Sequence, residues 1–279
     1  MHVFGPPSIY PGAATRQYSP TERPYARYAP MARALGLERV VLVQPSAYGA
    51  DNSCLLDTLR DASDEERRRM RAVAVIDDET GADALDAMHA LGVRGARLNL
   101  MSPRIDSVAA AERLVGRVAA RIGRLGWHLQ IYADPRIMAP LVEVIAHLEV
   151  PVVLDHMAGG RAEHGIDAPE FNALLDLLSA GGAWVKLSGA DIVTRHDDDF
   201  TAAIPFIKAL VVANPERLVW GTDWPHLVQP SGPMGDAAPS AGYRPVSESA
   251  LLRLLCDAVA DEAILQRILV DNPQHLYGF

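Results

Sequence analysis

Cysteine is scarce in this chain: 279 residues contain two, Cys54 and Cys256, far apart in sequence. Two such residues make no disulfide framework, so a reducing compartment is expected. Positive charge is also in short supply. The 26 Lys and Arg against 35 Asp and Glu leave a formal net charge of −9, which argues against nucleic acid and against an anionic membrane surface as partners. Any anionic ligand must be drawn in by local arginines against that field. No run approaches the ~18 consecutive apolar residues of a spanning helix. Met1-His2-Val3-Phe4-Gly5-Pro6-Pro7 has neither the basic nor the apolar region of a signal peptide, and a cytoplasmic location follows as the expectation. Low-complexity linkers and breaks in composition are absent as well, so one domain is expected over residues 1–279.

What is present is a rhythm. Apolar, β-branched runs recur at Val40–Gln44, Ala72–Ile76, Gly95–Leu100, Leu129–Tyr132, Val152–Asp155, Trp184–Leu187 and Leu218–Gly221. Segments of helical spacing lie between them, such as Ala109–Leu125 and Phe171–Leu178, and a helix over Tyr25–Leu35 should close at Gly36. Strands alternating with helices imply right-handed βαβ units and a parallel sheet. Polar residues gather at nearly every strand's carboxyl end, where an open sheet would concentrate them at one switch point. That distribution suits a closed (β/α)8 TIM barrel. A barrel needs an eighth strand before Val40, and only Met1–Gly5 is available to end it. The first strand is therefore read as truncated at the N-terminus, with residues upstream of Met1 expected in the natural protein.

The most informative stretch is Leu218-Val219-Trp220-Gly221-Thr222-Asp223-Trp224-Pro225-His226. Its apolar start suits a strand buried on both faces, Gly221 allows a turn, and Pro225 cannot extend a ladder. By itself, a strand-end Asp reads as a helix cap. With an imidazole three residues on, at the rim where such folds bind ligands, Asp223 becomes a candidate for chemistry. Arg97, inside an apolar strand, requires an anionic partner, either a substrate or a structural Asp or Glu. Asp155 is expected to fix the tautomer of a neighbouring ring or to cap a helix. His89, His147, His164, His196 and His275 are expected to be solvated, and the two cysteines to pack within helices.

Seven short motifs in order resemble the amidohydrolase superfamily, and most of all its 2-pyrone-4,6-dicarboxylate lactonase branch. They are His-Val-Phe-Gly-Pro at 2–6, Leu-Val-Gln-Pro-Ser-Ala-Tyr-Gly-Ala-Asp-Asn at 42–52, Gly-Val-Arg-Gly-Ala-Arg-Leu-Asn at 92–99, Asp-His-Met at 155–157, Lys-Leu-Ser-Gly at 186–189, Gly-Thr-Asp-Trp-Pro-His at 221–226, and Asn-Pro-Gln-His-Leu-Tyr-Gly-Phe at 272–279. The resemblance implies hydrolysis of a small, carboxylate-bearing lactone: a pyrone dicarboxylate, a muconolactone or a sugar-acid lactone. Lactone hydrolysis needs a base for water, an electrophile on the carbonyl and donors for the leaving oxygen.

By resemblance, Asp223 is the base, and His2, the second member of a His-x-His pair, helps to polarise the carbonyl beside His156. Arg97 grips a substrate carboxylate, while Tyr132, Ser46, Tyr18, His226 and Arg104 contact substrate. Arg104 stands out of register with the second arginine of the pyrone lactonase, and a further expected arginine falls at Ile192 with Arg195 three places on. The exact lactone therefore stays open. No cofactor is required in this reading. In an alternative reading, one zinc ion is held by His2, His156 and Asp223 in a hydrolase or decarboxylase of the same superfamily. In another, the barrel is inactive and binds ligands. The expected assembly is a monomer or small homo-oligomer.

Overall fold

The computed structural model describes residues 1–101, 107–194, 200–228 and 233–279. Its strands are β1 Val40–Val43, β2 Met70–Ala74, β3 Val93–Asn99, β4 His128–Tyr132, β5 Val152–Leu154, β6 Trp184–Leu187 and β7 Leu218–Trp220, and hydrogen-bonded neighbours follow chain order. The pairs β1–β2, β2–β3, β4–β5, β5–β6 and β6–β7 run parallel. A helix or helical turn follows each of β1–β6, which is the repeat of the α/β-barrel class. The seven strands expected from the apolar runs are present, whereas Met1–Gly5 holds only an isolated antiparallel bridge, Phe4 to Arg23, in place of the expected strand end.

Several boundaries differ, for a physical reason. β2 and β3 begin two residues earlier than the apolar runs suggested, because Arg71 and Arg94 interrupt those runs and yet lie within strands. The Arg71 guanidinium lies 4.9 Å from the centre of the Phe279 ring, and Arg94 Nη1 donates to the carbonyls of His89 and Val93. A long side chain can thus bury its stem beside a strand while its head finds partners. At the other ends, Gln44, Ile76, Leu100, Asp155 and Gly221 fall just outside the ladders.

The helices follow their caps. In Val108–Ile122 the Ser107 side chain accepts from Ala110 N–H, and Ala111, Val115, Val118, Ala119 and Ile122 form the buried face. The helix Pro169–Ser179 buries Phe171, Leu174, Leu177 and Leu178 in the same way. Tyr25–Ala34 ends one residue before Leu35, and Gly36 takes a left-handed φ of 72°.

Contacts divide the chain into two compact units. One comprises Met1–Arg97, Asp223–Val246 and Phe279; the other comprises Leu98–Thr222 and Ser247–Gly278. In the first, Phe4, Leu42, Leu55, Leu59 and Met70 are fully buried. Met1 N donates to Val41 O at 3.1 Å, Val43 N–H donates to Met1 O at 2.9 Å, and His2 N–H donates to Trp224 O at 2.8 Å. The Met1–Val3 segment thus bonds to β1 on one side and to Trp224 on the other, satisfying groups that an open edge would leave exposed. This unit also holds an unanticipated antiparallel pair, β8 Leu227–Val228 and β9 Gly242–Tyr243. In the second unit Trp127, Leu129, Ile131, Met138 and Leu141 make the core.

Candidate active site

In the first unit, the backbone of Met1–Val3 delivers His2 beside β1. Its Nδ1 lies 2.8 Å from Val43 O, and its Nε2 lies 3.5 Å from Asp223 Oδ1. A carbonyl oxygen only accepts, so Nδ1 carries the proton and the neutral ring turns an Nε2 lone pair toward the carboxylate. Burial pushes His2 down to about 4, against the pull of Asp223 and with the repulsion of Arg97. The ring is therefore neutral at pH ~7, and the 3.5 Å approach is not an ion pair there.

Arg97, near the end of β3, is buried, and its Nη1 donates to Gln44 O at 3.1 Å. Its positive charge acts on both His2 and Tyr18. Tyr18 is buried, and its hydroxyl lies 3.3 Å from Ser46 Oγ. Burial raises the Tyr18 phenol, while Ser46 and Arg97 oppose that shift. His2, Asp223, Arg97, Tyr18 and Ser46 are thus one neighbourhood. His226 is buried nearby in sequence, with its N–H donating to Asp223 O at 3.2 Å.

The second unit holds another pair. His156 is buried, and its ring stands edge-on to Tyr132, with centroids 4.7 Å apart at 86°. Its Nδ1 lies 3.1 Å from Ser188 Oγ. A Cβ on Gly189, whose φ is 68°, would come within 2.7 Å of that same nitrogen. Glycine is required there both for the left-handed backbone and for the closeness of the imidazole.

Asp223, His226 and His156 all have left-handed φ values, 61°, 59° and 52°. For non-glycine residues such conformations cost on the order of 1–3 kcal/mol and cluster at functional sites.

Asp155 has partners that the sequence did not point to: Lys186 Nζ lies 2.5 Å from its Oδ1, and Gln130 Nε2 donates to both its oxygens at 3.0 and 2.9 Å. His156 Nδ1 has Ser188 Oγ as a hydrogen-bond partner. Arg104 and Arg195 fall outside the described residues, as does His196. His147 and His275 are exposed, as expected; His275 also stacks on Trp184 at 6.0 Å, and His147 Nδ1 lies 2.6 Å from Glu143 O.

Sequence reading missed several supports. Gln44 is fully buried, and its side-chain amide donates to Gly49 O and Asp51 O while its backbone carbonyl receives Arg97. Asn52 exchanges two hydrogen bonds with the Val75 backbone, at 2.8 and 2.9 Å, fixing the segment after β1 to that after β2. Both lie in the 42–52 motif, but nothing local distinguishes a tether from a substrate contact.

The zinc alternative can be tested against the donor set. Among the described residues no three His, Cys, Asp or Glu side chains come together as a metal site. His2 Nδ1 is tied to Val43 O, which leaves Nε2 as its free donor atom. His2 Nε2 and Asp223 Oδ1, 3.5 Å apart, are donor atoms of the kind zinc takes, and no chemical step is derived through a metal.

A family model described as Amidohydrolase matches residues 1–279. A 4-sulfomuconolactone hydrolase from Hydrogenophaga intermedia is 34% identical over all of this chain and 87% of its own. A 2-pyrone-4,6-dicarboxylate hydrolase from Comamonas testosteroni is 30% identical, over 99% of this chain and 88% of its own. The solved structure of a candidate 2-pyrone-4,6-dicarboxylic acid hydrolase from Pseudomonas putida superposes with a TM-score of 0.81 at 29% identity, covering 99% of this chain and 95% of that one. With the seven strands present in order and the whole length matched, the chain belongs to the amidohydrolase family.

Proposed function

We propose that this protein is a lactonase that opens the ring of a small, carboxylate-bearing lactone by Asp223-activated water. The observation that carries the reading is the His2–Asp223 approach at 3.5 Å, with His2 Nδ1 tied to Val43 O. Two acceptors at that spacing, a lone pair and a carboxylate, suit one water molecule that donates to both. Attack of the water oxygen on the lactone carbonyl forms the new C–O bond, and Asp223 takes the proton. Collapse breaks the ring C–O bond, and that proton passes to the departing oxygen, leaving a hydroxy acid. In this scheme neutral His2 holds the water, a role different from the carbonyl polarisation that the resemblance implied.

Polarisation falls to His156. With the Ser188 hydroxyl donating to Nδ1, its Nε2–H becomes a hydrogen-bond donor suited to a developing oxyanion. Arg97 binds the substrate carboxylate, and Tyr132, Ser46, Tyr18, His226 and Arg104 are assigned substrate contacts. The reading needs no metal, treats 1–279 as one catalytic domain, and places it in the cytoplasm as a monomer or small homo-oligomer.

The test is turnover on a panel holding 4-sulfomuconolactone, an unsubstituted muconolactone, 2-pyrone-4,6-dicarboxylate and a galactaro-lactone, with metal analysis of the same sample. Ring opening of at least one, lost in both Asp223→Asn and His156→Phe, supports the reading and shows that both residues serve one turnover. A folded protein inactive on all four overturns it in favour of a binding barrel.

A further inference from the structure

Within the second unit lies a cavity of about 460 Å³, lined by Asp134, Arg136, Ala158–Arg161, Glu163, His164 and Phe171 among others. Neither Tyr132 nor His156 lines it. It sits against the helix Pro169–Ser179, whose buried Phe171 forms part of the wall. Its volume is that of a small-molecule site, in the ~300–1,000 Å³ range.

The charges around it do not cancel evenly. Arg136 Nε is bonded to Asp134 Oδ1 at 2.9 Å and also feels Glu170, and His164 lies 3.9 Å from Glu163. Arg161 is different. It is nine-tenths buried, and among the described residues its side chain has one hydrogen bond, a 3.4 Å contact from Nη1 to Ile192 O. No carboxylate within ion-pair distance of it is found among the described residues, although its charge is felt at Asp134. A guanidinium has five N–H donors in a planar fork. Arg161 is one of the residues that line the cavity, and a buried charge is retained at a cost unless an anion meets it.

The backbone at this wall is also unusual. His156, Met157, Ala158 and Gly159 are consecutive residues of positive φ, at 52°, 53°, 57° and 79°. Three of the four are not glycine, and a left-handed turn of L-residues is disfavoured by roughly 1–2 kcal/mol at each. That turn carries Gly160 and Arg161 to the cavity. A Cβ at Gly160 would come within 2.6 Å of the buried Phe206 ring, so the chain is held tightly where it delivers the arginine.

We propose that this cavity is a second binding site for a small carboxylate anion, with Arg161 as its bidentate partner. The planar fork matches a carboxylate geometrically. Asp134, Glu163 and Glu170 at the rim favour a ligand that also presents hydroxyl or other donor groups, such as a hydroxy acid. The site is separate from Arg97, and its occupancy does not depend on the lactonase reading.

The experiment titrates succinate into the full-length protein while following the backbone amide resonances of Gly159, Gly160 and Gly165. Saturable shifts at these amides are expected in the wild type and in Arg97→Met. Arg161→Gln should weaken them roughly tenfold or more, as loss of a charge-assisted pair requires. Because Arg161 also holds Ile192 O, a second variant, Ala168→Leu, narrows the cavity while leaving the guanidinium, and it should weaken binding as well. The proposal is overturned if the wild type shows no saturable shift, if Ala168→Leu or folded Arg161→Gln titrates as the wild type does, or if Arg97→Met abolishes the response.

Discussion

Lys186 Nζ meets Asp155 Oδ1 at 2.5 Å, an ion pair between the end of β6 and the residue just after β5. Asp155 is almost wholly inaccessible, and Gln130 from β4 donates to both its oxygens. Three neighbouring strands are thereby joined immediately before His156. Removing one partner of a buried pair strands the other charge and typically costs about 3–5 kcal/mol. Lys186→Met should therefore lower unfolding stability by about that amount in urea titrations. The double change Lys186→Met with Asp155→Asn should recover much of it. A single variant within 1 kcal/mol of wild type, taken here as roughly the worth of an exposed pair, would mean that the pair is surface-like.

Asp223→Asn preserves the side chain's size and removes the acceptor for water's proton. Positioned base catalysis is worth roughly 10²–10⁴ in rate, so kcat should fall by that factor with little change in stability. Retention of half the wild-type turnover by a folded variant would remove Asp223 from the base role.

How much of this was legible in the sequence differs by residue. The strands were, because their β-branched runs are buried on both faces and nothing else fits that composition. Asp223 and His156 were legible as strand-end residues within motifs. The partner of Asp155 was not, since Lys186 lies 31 positions away and reads locally as a polar residue ending a strand. The Nδ1 contact of His2 was equally hidden: only the fold brings Val43 O beside it. Arg71 and Arg94 misled the boundaries because hydropathy scores a head group while the stem decides whether a strand continues.

Arg97→Met should weaken carboxylate-bearing lactones about tenfold or more, from the ~1.5–3 kcal/mol of a charge-assisted pair, and spare a neutral lactone. Equal losses on both substrates would show that its bond to Gln44 O is its main work.

His2 gives a pH prediction. Its folded-state value, about 4, lies below the ordinary 6.5, so the unfolded chain binds more protons between those limits. Stability from this group is complete above pH 6.5 and falls as the pH drops toward 4. The slope is about 1.4 kcal/mol per unit, on the order of 3 kcal/mol in all. His2→Gln should flatten the stability profile across that window, measured by denaturant unfolding at fixed salt. An unchanged slope would mean that His2 titrates normally in the folded protein.

The support beneath His156 makes the last prediction. Gly189 has φ 68°, and an added Cβ would approach His156 Nδ1 to 2.7 Å. Gly189→Ala therefore combines backbone strain of about 1–3 kcal/mol with displacement of the ring from Ser188. Stability should fall by that amount, and kcat by more than tenfold, because a ring moved by even 1 Å loses alignment with a developing oxyanion. Ser188→Ala separates the two effects. It leaves the space intact but frees the tautomer, so it should lower kcat and alter its pH profile while leaving stability within ~1 kcal/mol. If Gly189→Ala destabilises the fold without lowering kcat, the His156–Ser188 geometry has no part in turnover.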